Sequence, residues 1–162
     1  MNTISRLMLA ACLAAAVTAC KKEEAPQKVE RAVVAVPTTD DLTGWRPYVS
    51  DVVTRNMGGI SNQPYVYLLP AESSADFAGS YERLLDKAKT DVARGIVTGN
   101  LLAYASPSSA KMADIVVASF ADVAPNTMKG VKVIFIGDQA DNARVQAAVV
   151  PAGVDFVFVE AK

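Results

Sequence analysis

A few residues in this chain have the types and spacing that chemistry needs. Ser108-Ser109-Ala110-Lys111 sets a lysine three positions after a serine, one helical turn away, where an amine could take a proton from the hydroxyl. Ser73 and Ser74 follow one apolar strand-like run, and Ser106 and Ser108 follow a second. Asp138 follows a third. If those runs are parallel strands, the hydroxyls and the carboxylate gather where helix N-termini expose backbone N–H groups, a place that suits a sugar hydroxyl or a small anion. The same residue types are the ones that helix starts prefer as caps. Asp40-Asp41 and Asp138/Asp141 are the local carboxylate clusters, and neither follows a calcium-loop spacing.

What is missing narrows the chemistry further. The chain has no histidine, which removes the Ser-His-Asp triad, the Cys-His pair and histidine zinc sites. Its two cysteines are Cys12 and Cys20. The S-x-x-K spacing resembles the nucleophile motif of penicillin-binding proteins and β-lactamases, but the companion S-D-N and K-T-G elements are absent. Ten serines and nine lysines in 162 positions make about 0.6 such spacings expected by chance, so the spacing alone carries little. Gly137 follows a good strand, yet neither G-x-G-x-x-G nor a P-loop is present, and Asp138 and Asp141 would repel a phosphate. No metal or nucleotide cofactor is expected.

The elements that must position these residues alternate regularly. Leu42, Trp45, Val49, Val52, Val53 and Met57 predict a helix over about 42–57, with Pro47 best suited to its first turn. Tyr65–Leu69 is a short strand between Pro64 and Pro70. Phe77, Tyr81, Leu84, Leu85, Ala88 and Val92 form the clearest amphipathic stripe, with Ser73 or Ser74 as its cap. Leu101–Ala105, Val131–Ile136 and Val154–Val159 are the remaining strands. Ser106-Pro107 opens one intervening helix and Asp138 the other. Strands alternating with helices imply right-handed crossovers and a mainly parallel sheet. The expectation is a single three-layer α/β domain of about four strands over 40–162, Rossmann-like or flavodoxin-like in layout. Trp45, Tyr48, Tyr65, Tyr67, Tyr81 and Tyr104 fit either the core or an interface.

The first 39 residues read as an address and a tether. Arg6 is followed by the apolar run Leu7–Val17 and by small residues up to Ala19, the three-part pattern of a secretory signal. Eleven apolar residues would rise only about 16 Å as a helix, roughly half of a bilayer core. Val17-Thr18-Ala19-Cys20 resembles the lipobox of bacterial lipoproteins. That resemblance implies cleavage between Ala19 and Cys20, a thioether-linked diacylglycerol on Cys20 and an acylated amino terminus. It also implies that residues 1–19 are the signal peptide. Lys21 stands where an aspartate would retain an enteric lipoprotein in the inner membrane, which favours the outer membrane. Residues 20–39 are charged and polar at first, with Pro26, as a flexible tether would be. Ala32–Val36 could add a strand or belong to that tether.

Removal of Arg6 with the signal leaves 15 basic and 17 acidic residues, a balance that gives no footing for nucleic acid. With Cys20 given to lipid, the mature chain holds neither thiol nor imidazole. The expected function is therefore a membrane-anchored periplasmic lipoprotein that binds an envelope protein without catalysis. Two alternatives stay open: a small-ligand or glycan-binding domain using Ser73, Ser74, Ser106, Ser108 and Asp138, or a serine hydrolase that works without histidine.

Overall fold

The computed structural model describes residues 32–161. The residues read as a signal peptide, with Ala19, Cys20 and the segment read as a tether up to residue 31, lie outside them. Four helices and four strands alternate in the order α1 (Leu42–Asn56), β1 (Tyr65–Leu68), α2 (Phe77–Ala93), β2 (Leu101–Ala105), α3 (Ser109–Phe120), β3 (Lys132–Gly137), α4 (Gln139–Val149) and β4 (Asp155–Glu160). A 3-10 turn at Val150–Ala152 and Gly153, at φ 86°, connect α4 to β4.

The sheet is parallel throughout, in the order β1-β2-β3-β4. The α/β class and the strand number therefore follow the alternation read from the sequence. One feature of the layout differs from Rossmann-like or flavodoxin-like winding: the strand order never reverses. Such folds wind outward in both directions from a switch point and so distribute their crossover helices over both faces. Here every crossover steps the same way, and α2, α3 and α4 share one apolar cluster with Tyr67, Leu102, Tyr104, Val133 and Phe135. The opposite face is left to α1, whose Trp45, Tyr48, Val49, Val52 and Val53 bury against Leu101, Ala103, Ala105, Ile134 and Ile136. Every residue of β2 is buried, as a strand covered on both faces requires.

α1 starts where Asp41 accepts hydrogen bonds from the backbone N–H groups of Thr43 and Gly44, at 2.9 and 3.2 Å. The Thr39 and Thr43 hydroxyls donate to the same carboxylate. Pro47 falls in the second turn of the helix, not the first, and so leaves the Thr43 carbonyl without its intrahelical donor. The helix runs antiparallel to the strands, since Lys132 at the start of β3 reaches the Asn56 carbonyl at its far end (2.9 Å). Residues 32–39 lie alongside it. The Val34 N–H donates to Asp51, Pro37 sits against Gly44, and the Trp45 indole donates to the Thr39 carbonyl. Val34 and Val36 pack onto the α1-side cluster, so ordered packing reaches back into the segment that composition groups with the tether.

On the other face the Tyr67 and Tyr104 rings stack at 4.6 Å, both fully buried, which assigns them to the core. Tyr67 donates its hydroxyl to Asp91 (2.9 Å), and Lys87 pairs with the same carboxylate while lying 5.2 Å from the Tyr67 ring centre. Burial pushes the Asp91 carboxyl up, but the hydrogen bonds from Lys87 and Tyr67 outweigh it and hold the group below its ordinary value. The Tyr104 hydroxyl has no partner among the described residues.

These two tyrosines should respond oppositely to loss of the hydroxyl. Tyr67→Phe strips Asp91 of a donor and is expected to cost about 1–2 kcal/mol in urea unfolding. Tyr104→Phe removes an unpaired buried hydroxyl and should leave stability unchanged or raised. The cap gives a pH signature. The Thr39 and Thr43 hydroxyls, followed by the Gly44 N–H, lower the Asp41 carboxyl from 3.8 to about 2. Its stabilising effect is thus complete above pH 3.8 and is lost as the pH falls through about 2. An NMR titration of the Asp41 carboxyl carbon should show that low midpoint, and Asp41→Asn should flatten the acid limb of the stability curve.

Candidate functional site

The sequence-marked hydroxyls meet at the C-terminal ends of the strands, where the β1–α2, β2–α3 and β3–α4 loops lie side by side. Their geometry follows from tight loops that must supply partners for backbone groups removed from water. Ser106, buried at the end of β2, accepts the Ser108 N–H on its Oγ (2.9 Å). Ser108 in turn accepts the Glu72 N–H (2.9 Å), which ties the β2–α3 loop to the β1–α2 loop. The helix therefore begins at Ser109 with Ser108 as the flanking residue, two positions later than a start at Pro107.

Ser109 is the centre of a third tie. Its Oγ accepts the Asp138 N–H (2.8 Å) and donates to Asp141 (2.6 Å), bridging α3 to the start of α4. Gly137 makes this approach feasible, because a Cβ there would stand 2.5 Å from the Ser109 oxygen. Arg144 completes the cluster. Its guanidinium donates to Asp141 (3.0 Å from Nε), to Asp114 (2.6 Å) and to the Ala110 carbonyl (2.6 Å). The Asp114 bond, reinforced by Asp141 against the effect of burial, raises the guanidinium above its already high ordinary value. This arginine is a permanent cation with its donors committed to carboxylates and a carbonyl.

The remaining marked residues play smaller parts. α2 starts at Phe77 with Asp76 as its flanking residue, so neither Ser73 nor Ser74 is its cap. Ser73 is exposed, and the Ser74 backbone joins a turn by donating to the Ala71 carbonyl and accepting from Phe77. Asp138 occupies the N-cap position of α4, but its side chain makes no capping bond. Lys111 lies 3.5 Å from Glu72 as an ion pair, and the Ser108 oxygen already holds the Glu72 N–H. The arrangement is that of a loop clasp.

Open space lies elsewhere. A cleft of about 510 Å³ separates the C-terminal halves of α2 and α3, bordered by Lys89, Val92, Asp122 and Met128. An apolar groove of about 410 Å³ runs between α1 and β1, lined by Val49, Val53, Met57, Pro64, Val66 and Leu68, with Arg46 also on its wall. Val66 is 43% exposed there. None of the strand-end serines lines either space. Among the described residues no group of three or more carboxylates, histidines or cysteines could hold a metal, and no helix is long and apolar enough to cross a membrane.

Ser109 stands in sequence among the strand-end hydroxyls, whereas Asp114 and Arg144 were not among the residues singled out as a site. The Asp141/Arg144 spacing on one helix was a readable signal for half of the cluster. Asp114, thirty positions before Arg144, carried none. Compared with known proteins, the chain matches no family model, no curated protein and no solved structure.

The clasp predicts a ranking of serine-to-alanine changes. Ser109→Ala leaves the Asp138 N–H and the Asp141 carboxylate short of a partner and should cost about 1–3 kcal/mol. Ser73→Ala should cost nothing measurable. Chemical unfolding of the two variants checks the order.

Proposed function

We propose that this chain is an envelope lipoprotein, held to a membrane by acyl chains on Cys20, whose α/β domain binds another protein and performs no catalysis. The observation that carries the binding half of this reading is the use made of the strand-end hydroxyls. Ser106, Ser108 and Ser109 each accept a backbone N–H from a neighbouring loop or turn. Each accepted N–H takes one of the two lone pairs and fixes the hydroxyl within its loop, and Ser109 also gives its proton to Asp141. The open apolar groove beside β1 adds support, since exposed apolar surface bounded by a cation is the kind of surface that protein partners cover.

Val17-Thr18-Ala19-Cys20 supports the anchor. Two or three acyl chains bury enough CH₂ groups, at about 0.8 kcal/mol each, to hold a protein stably where a single chain would not. Lys21 favours the outer membrane. The covalent lipid is then the chain's sole prosthetic group.

Two measurements test the halves separately. Cys20→Ser in the full chain should abolish labelling by radioactive palmitate; label that persists would place the lipid elsewhere. For the domain, Ser106→Ala, Ser108→Ala and Asp138→Ala are combined and the circular dichroism is checked. A folded triple variant with the cellular phenotype of the unaltered chain is expected. Loss of phenotype with the fold intact would instead favour a ligand site or a hydrolase at the strand ends.

A further inference from the structure

The two edges of this sheet are built differently, and the difference points to a partner. In a parallel strand, alternate residues turn both backbone groups to the same side. The Leu69 N–H bonds to the Ala105 carbonyl, so Tyr65, Tyr67 and Leu69 face β2, while positions 64, 66, 68 and 70 face outward. Pro64 and Pro70 hold the first and last of those positions and have no N–H to offer. Above this edge, the outer flank of α2 carries Arg83, Lys87, Asp91 and Arg94. Prolines and charge are the usual guards of an edge strand.

β4 lacks them. The Asp155 N–H bonds to the Val131 carbonyl and the Ala161 N–H to the Gly137 carbonyl, so Val154, Phe156, Phe158 and Glu160 face outward. None is proline, and the four residues Phe156–Val159 are only half-buried. The helix above is equally unguarded. Arg144 turns one flank of α4 towards α3. Helical spacing sets Gln139, Asn142, Gln146 and, past the helix end, Val150 on the opposite flank, without a charge among them.

We propose that a second copy of this chain docks on the β4 edge, antiparallel, to make one continuous eight-stranded sheet. Pairing centred on Val157 sets Phe156 opposite Phe158 of the second copy and Glu160 opposite its Val154. All the outward N–H and C=O groups from 154 to 160 then find partners, and the four phenyl rings meet on one face. The charges agree with this register. Glu160 at one end of β4 is exposed and makes no ion pair among the described residues, and the same holds for Lys129. The Lys129 side chain runs over Gly153, at the other end of the strand. Antiparallel pairing brings each Glu160 to the Lys129 of the other copy, twice over. The two-fold axis also closes the assembly, whereas β4 joining β1 head to tail would extend without end. The prolines of β1 block that open arrangement.

The test uses the full mature chain in detergent. Val157 faces its own symmetry mate across a non-hydrogen-bonded pair, where Cα atoms stand about 4.5 Å apart, within disulfide reach. Val157→Cys under mild oxidation should give a covalent dimer that reduction reverses, and Val66→Cys on the β1 edge should not. Sedimentation equilibrium of the unaltered chain should show a monomer–dimer equilibrium. Gln146→Glu, an exposed change that sets like charges across the axis, should weaken it by about tenfold or more. A chain that sediments as a monomer at every concentration would overturn the proposal. So would cross-linking through Val66 in preference to Val157, or a dimer indifferent to Gln146→Glu.

Discussion

Leu101–Ala105 and the apolar stretch of β3 have no polar face, and that constraint shapes the rest of the molecule. Both sides of the sheet have to be covered. Three crossovers that all step the same way can cover only one side, so the other falls to α1 and the chain just before it. A single helix about 10 Å across lies over a sheet spanning about 14 Å from β1 to β4. The segment 32–39 runs along the α1 flank that holds Gly44 and Asp51. Among the described residues nothing fills the opposite flank, towards β1, and the groove bordered by Val53, Met57 and Val66 is the result.

Polar groups are used economically in this frame. Parallel strands bring their loops and helix N-termini to one end, where backbone N–H groups need acceptors. Ser106, Ser108 and Ser109 supply them, and Asp141 and Arg144 neutralise one another beside Asp114. In a doubly wound sheet the same loops would diverge at a switch point and leave a crevice. Without a reversal they stay adjacent and bond to each other.

The guarded β1 edge and the bare β4 edge extend the same logic outward. A parallel sheet of four strands has two edges, each with unmatched backbone groups. Prolines at 64 and 70 shorten one edge to Val66 and Leu68, while β4 keeps its outward groups along the whole strand. The surface near the unguarded edge is uncharged on α4, in contrast to the basic flank of α2.

Read alone, the sequence determined the elements. Apolar spacing over 42–57 and 77–92 set two helices to within a residue or so, and the β-branched run at 131–136 marked the strand buried on both faces. Those signals are local, because a helix or strand face repeats within a few residues of itself. The α/β class followed from their alternation. Strand order, the face on which each helix lies and the fate of the serines were decided only in three dimensions. Ser106, Ser108 and Ser109 look alike in a sequence, whether they cap a loop, bind a ligand or attack a substrate. Only the packing of parallel strands brings the Glu72 N–H to Ser108 and the Asp138 N–H to Ser109, each from about thirty residues away in the chain.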